Sequence, residues 1–215
     1  MKTLALLARK GGAGKTTLAV HLAVIAAQAG RRVLLVDTDP QRSTAAWWRS
    51  RKADTPELVE CDASRLPAIL KAAQADGVDL VVVDTRPSVE ADTATVARLA
   101  DLVLIPTRPA ILDLRAIGAT VAVVQSLKRS ALIVLNATPP PRGVLEASLT
   151  AEARQALGAY ALPVAPVTVG NRAALAHALV DGQAVTEFEP DGKAALELQS
   201  LSRLVKERLW PVARK

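Results

Sequence analysis

Near the start of the chain, the run Lys10-Gly11-Gly12-Ala13-Gly14-Lys15-Thr16-Thr17 restricts the possible architecture more than any other feature. It follows the apolar stretch Thr3 to Ala8 and opens onto the helical pattern Thr16 to Ala29, closed by Gly30. A strand, a tight loop and a helix are therefore expected in direct succession. Glycines let such a loop turn its amides onto phosphate oxygens, and the helix N-terminus adds partial positive charge. Lys15 is the natural counter-charge for the β- and γ-phosphates. The Thr16 hydroxyl is placed to ligate Mg²⁺, and Thr17 to reach a phosphate nearer the ribose. Gly11, Gly12, Ala13, Gly14, Lys15, Thr16 and Thr17 are thus the candidate contacts for ATP with Mg²⁺.

Further apolar runs, Val33 to Asp37, Leu80 to Asp84, Leu102 to Pro106, Ala131 to Asn136 and Ala161 to Pro166, read as strands. They are continuous rather than alternating, as expected where helices cover both faces of a parallel sheet. Helical patterns at Val89 to Ala100, Ile111 to Lys128, Leu145 to Leu157 and Lys193 to Trp210 supply that cover. The expected fold is α/β, a mostly parallel sheet flanked by helices on both faces. A chain of 215 residues, half of them hydrophobic, suits one domain over 1–215. Thr138 to Gly143, with three consecutive prolines, is a marked loop but too short to divide domains.

Two acidic segments belong at the carboxyl edge of such a sheet, where open α/β folds bind nucleotides. Val36-Asp37-Thr38-Asp39-Pro40-Gln41 ends one strand, with Asp37 the candidate nearer the Mg²⁺ shell. Leu80-Val81-Val82-Val83-Asp84 ends another, and Asp84 is placed to orient the metal through its water ligands. The single cysteine, Cys61, cannot form an intramolecular disulfide and suits a reducing cytoplasm. It also leaves too few thiolates for a metallocluster carrier. The first apolar run is shorter than a secretory signal, and no stretch suffices to span a bilayer of roughly 30 Å.

An ordinary phosphate loop would begin with glycine at position 9, where this chain has Arg9 followed by Lys10. Lys10-Gly-Gly-Ala-Gly-Lys-Thr-Thr instead resembles the deviant Walker A motif of the ParA/MinD family of P-loop ATPases. Asp37-Thr-Asp-Pro-Gln41, Leu104-Ile-Pro-Thr107 followed by Leu112-Asp113, and Asp181-Gly182 extend the resemblance over most of the chain. It implies that Lys10 crosses a two-fold interface to the partner's phosphates, making a homodimer that ATP controls. Lys10, Lys15 and Asp39 are then the catalytic candidates, with Asp39 positioning the hydrolytic water. Asn136 is implied as the adenine contact, with Pro166 and Val167 packing the other side of the ring. The segment Thr85-Arg86-Pro87-Ser88 departs from the family's glycine-rich switch II, and Arg86 acquires no role from it.

The resemblance implies a short ParA-type partition ATPase without an N-terminal helix-turn-helix domain. Its ATP dimer would bind duplex DNA nonspecifically, and a ParB-like partner would stimulate hydrolysis, giving a cytoplasmic, nucleoid-associated protein. A net charge of +6 permits polyanion binding, and an aromatic content of 2% disfavours stacking on single strands. Candidate DNA contacts are Arg172, Lys193, Arg203, Lys206, Arg208, Arg214 and Lys215. The alternative is a MinD-like membrane-associated switch, with Leu198 to Trp210 as an interfacial amphipathic helix. The same stripe, Leu198, Leu201, Val205 and Leu209, is also the pattern of a helix packed on the sheet. Trp47 and Trp48 could face the core or a partner, with at least one expected inside.

Overall fold

Strand residues with continuous hydrophobicity need partners on two sides, and the computed structural model supplies them. It describes residues 1–87, 90–140 and 146–211. Seven strands among these residues form one sheet: β1 (Lys2–Leu6), β2 (Val33–Asp37), β3 (Glu57–Glu60), β4 (Leu80–Asp84), β5 (Leu102–Thr107), β6 (Ala131–Thr138) and β7 (Val169–Gly170). Their spatial order is β3-β2-β4-β1-β5-β6-β7, and every pairing is parallel.

Alternation along each strand divides the apolar side chains between two cores. Leu4, Leu6, Leu35, Val82, Leu104 and Val134 face one layer, built on α1 (Lys15–Gln28), α8 (Ala173–Val180), α9 (Val185–Phe188) and α10 (Lys193–Leu209). Ala5, Val36, Val83, Ile105 and Ile133 face the other, with α3 (Leu66–Ala75), α4 (Glu90–Leu99), α6 (Gly118–Ser126) and α7 (Ser148–Leu157). Two shorter helices, α2 (Ser43–Ser50) and α5 (Ile111–Ala116), follow the carboxyl ends of β2 and β5.

The expected strand Ala161 to Pro166 is replaced by one isolated bridge, Ile133 with Val164, and the strand proper is β7. Pro163 and Pro166 explain the displacement, because neither has an N–H to give a ladder. The single helix expected over Ile111 to Lys128 is two, divided at Ile117-Gly118 beside the ring of Tyr160. Expected helix starts at Val89 and Leu145 lie outside the described residues.

On α10, Leu198, Leu201, Val205 and Leu209 are buried in the first core. Its end is anchored by Trp210, over which the Arg31 guanidinium lies at 3.8 Å. The apolar stripe that an interfacial membrane helix would need is therefore occupied inside the fold. Among the described residues no helix is long and apolar enough to cross a membrane. Trp47 is buried, with Nε1 donating to the Gln183 carbonyl at 3.2 Å; Trp48 is half-buried and donates to the Pro56 carbonyl at 2.8 Å.

Candidate functional site

The loop after β1 lies where the sheet can serve it from both sides, because β1 runs between β4 and β5. Gly12 and Gly14 have φ values of 73° and 94°, in the left-handed region. Gly14 caps α1, accepting the first helical bond from the Leu18 amide at 2.9 Å. A Cβ on Gly14 would lie 2.0 Å from the Asn136 Nδ2. The loop thus folds this way only with hydrogen at that position. It rims a cavity of about 560 Å³ into which Lys15, Thr16, Thr17 and Asp39 project.

Lys15 is buried, and burial pushes its ammonium pKa below the ordinary lysine value against the opposing pull of Asp84 and Asp39. Beneath Thr16, register pairs Asp37 with Asp84 across β2 and β4, and both are fully buried. Asp84 Oδ2 accepts hydrogen bonds from Thr16 Oγ1 and Thr44 Oγ1, each at 2.7 Å. Its Oδ1 has no partner among the described residues. Burial raises the Asp84 carboxyl to about 6, and the two threonine bonds oppose that rise.

Asp37 is used differently from expectation. Its Oδ1 accepts the Asp39 amide and its Oδ2 the Ala45 amide, both at 3.0 Å, so it braces the turn into α2. Asp39 lines the cavity, with Oδ1 accepting the Gln41 amide at 2.9 Å. Lys10 Nζ sits 2.8 Å from Asp113 Oδ2, so within one chain the loop's first lysine is held by α5.

Asn136 reaches the cavity wall, but its Nδ2 donates to the Ala13 carbonyl at 2.8 Å and holds the loop from behind. Pro166 and Val167 do not line this cavity: Pro166 is exposed and Val167 packs on the first core. The wall there comes from Gly170, Asn171, Arg172 and α8 instead, since the strand edge falls at β7.

Arg172, expected on a DNA surface, is ion-paired with Glu197 of α10, Nε to Oε2 at 3.0 Å, and borders the cavity. Lys193, Arg203, Lys206 and Arg208 are exposed on α10, and none has an ion-pair partner among the described residues. Arg214 and Lys215 lie outside the described residues, as does Ser88, while Arg86 pairs with Asp92. Sequence reasoning missed Thr44 and Arg108, which also reaches the cavity. Thr44 had a weak signal, a hydroxyl one turn beyond the acidic strand end.

These residues fit a triphosphate with a divalent cation. The two glycines open the loop to a large anion, and Lys15 supplies charge. The orphaned Asp84 oxygen behind the Thr16 hydroxyl suits a metal's water ligand. A phosphate loop between a central parallel strand and a helix, backed by a buried strand-end aspartate, defines a P-loop nucleotide-binding protein.

The family model described as the CobQ/CobB/MinD/ParA nucleotide binding domain matches residues 4–185, and the chain belongs to this ParA/MinD family of ATPases. It is 33% identical over 206 residues to maintenance of carboxysome distribution protein A of Halothiobacillus neapolitanus, covering 91% of each chain. It is 36% identical over 211 residues to the protein of the same name from Gloeobacter kilaueensis, covering 97% of this chain and 94% of that one. Among solved structures, the ATP complex of a McdA variant from Cyanothece superposes with a TM-score of 0.79 at 20% identity, covering 100% of this chain and 99% of that one.

Proposed function

We propose that this chain is a one-domain positioning ATPase whose ATP-bound homodimer binds duplex DNA nonspecifically and is released when a partner protein stimulates hydrolysis. The observation that carries the reading is the phosphate loop whose Thr16 hydroxyl is tied at 2.7 Å to the buried Asp84. The two relatives matched almost end to end are named for carboxysome distribution, which supports a large protein-bounded cargo over a plasmid.

Each residue then has a physical task. Loop amides and Lys15 hold the phosphates, and the depressed lysine pKa reflects a desolvated site in which charge interactions are strong. Bound Mg²⁺ would supply positive charge against the charge developing on the phosphates. Thr16 would ligate it, while Asp84 fixes the Thr16 hydroxyl and offers Oδ1 to a metal-bound water. Asp39, half-buried on the cavity wall, orients the attacking water. Lys10 exchanges Asp113 for the partner's phosphates, which couples nucleotide state to dimerisation. Asn136 supports the loop and presents its remaining amide surface to the base. Lys193, Arg203, Lys206 and Arg208, without ion-pair partners among the described residues, supply cations for phosphodiesters, and these would localise the protein to the nucleoid.

The test is duplex DNA binding across a salt series for the wild type, Lys10→Ala, Lys15→Ala and the combined Arg203→Glu, Lys206→Glu and Arg208→Glu variant. Binding is expected only from the wild type with ATP, weakening steeply as salt rises. Size-exclusion chromatography should show an ATP-dependent dimer that Lys10→Ala lacks. Unchanged DNA binding by the charge-reversed variant would remove α10 as the DNA surface. A dimer surviving Lys10→Ala would remove the cross-subunit lysine.

A further inference from the structure

A second arginine stands at the phosphate loop, outside the motif. Thr107 ends β5 and is buried, and the buried Pro109 restricts the intervening residue to extended backbone. Arg108 is thereby held at the carboxyl edge of the sheet. β5 pairs with β1, Leu6 opposite Leu104, so the residue after β5 emerges beside the loop after β1. The Arg108 Nη2 would lie 3.3 Å from a Cβ placed on Gly12, so the guanidinium rests directly over that glycine and lines the cavity.

The charges around it are distributed unequally. Lys10 is neutralised by Asp113 and Arg172 by Glu197. Arg108 is exposed, and its guanidinium has neither an ion pair nor a hydrogen bond among the described residues. Lys15, beneath the same loop, has Asp84 and Asp39 as counter-charges, so Arg108 brings to the cavity rim a positive charge with no ion-pair partner among the described residues, an arrangement that favours an anion. A guanidinium also presents a planar fork of donors matched to two phosphate oxygens.

We propose that Arg108 is a phosphate-binding residue acting in cis, closing over the Gly12 side of the loop onto the terminal phosphate of the triphosphate bound by its own chain. The proposal rests on the nucleotide reading above and deepens it. It makes Arg108 a discriminator between nucleoside tri- and diphosphate, because a diphosphate lacks the group that the fork would grip.

Equilibrium binding of fluorescent ADP and of a hydrolysis-resistant fluorescent ATP analogue tests it, with the wild type, Arg108→Ala and Arg108→Lys. Arg108→Ala is expected to weaken the triphosphate about tenfold and the diphosphate by less than about twofold, with Arg108→Lys between. The difference should be the same at low and high protein concentration, since loop and arginine belong to one chain. Equal weakening of both nucleotides, or none, overturns the assignment. A difference seen only at high concentration would place the guanidinium on the partner's nucleotide and overturn it equally. A folded wild type that binds neither nucleotide sinks the nucleotide reading itself, a result distinct from failure at Arg108 alone.

Discussion

Replacing Gly14 with alanine tests how the phosphate loop is built. The backbone there has φ 94° and ψ 23°, and adding a side chain in that region costs about 1–2 kcal/mol. The new Cβ would stand 2.0 Å from Asn136 Nδ2 and 3.2 Å from its Cγ, so the amide must swing away. That breaks its 2.8 Å bond to the Ala13 carbonyl and leaves buried polar groups unsatisfied, a further cost of about 1–3 kcal/mol. Gly14→Ala should therefore destabilise the protein by about 2–5 kcal/mol, summing those two terms. In an Asn136→Ala background the second term is already lost, and the same change should cost only about 1–2 kcal/mol. Urea unfolding of the four proteins, with unchanged slopes, reads the coupling energy directly as about 1–3 kcal/mol. An equal cost of Gly14→Ala in both backgrounds would refute the idea that Asn136 holds the loop.

Asp84 predicts a pH signature in the ligand-free protein. Its folded pKa of about 6 lies above the unfolded value of about 3.9, so the folded state binds more protons between them and loses stability as pH rises through that window. Asp84→Asn should be more stable than the wild type at pH 7 by on the order of a few kcal/mol, with the gap closing as pH falls from about 6 to 4. His21, buried with its pKa lowered to about 4, titrates in the opposite sense over an overlapping range but is common to both proteins, so the difference isolates Asp84. A gap that does not vary with pH would contradict the assignment. Elsewhere, the guanidinium of Arg51 is buried and doubly bonded to Glu187 at 2.7 and 2.8 Å, so Arg51→Ala should cost about 3–5 kcal/mol in chemical denaturation by stranding that carboxylate. Arg51→Lys should recover little of it, since a point charge cannot reproduce the fork. A loss under about 1 kcal/mol would show the pair to be structurally idle.

What could be read in the residues, and what could not, follows from the range of the interactions. β1, β2, β4, β5 and β6 announce themselves because strands covered on both faces are apolar throughout. β3 does not, since this edge strand begins and ends in glutamate and its side chains are only partly buried. α2 and α8 were missed because each has eight residues, too few for the helical period to stand out. The phosphate loop was legible because its chemistry is local. The bracing bond of Asn136 was not, since its contact with Ala13 exists only through the neighbouring positions of β6, β5 and β1. Thr44 over Asp84 and Arg108 over Gly12 likewise depend on which strands lie side by side. Pro166 and Val167 were assigned by resemblance to a wall that the structure builds from 170–179, because the prolines there shift the last strand.

The Glu197 carboxylate ties the cavity wall to α10, a helix that also packs against β7. It takes Arg172 Nε and the Gly170 amide, both on the cavity wall, while standing on the first turns of a rod of 17 residues whose far end is pinned by Trp210 against Arg31. Because α10 is buried along its length through Ala194, Ala195, Leu198, Leu201, Val205 and Leu209, a ligand that draws Arg172 inward must break the Glu197 pair instead of displacing the helix.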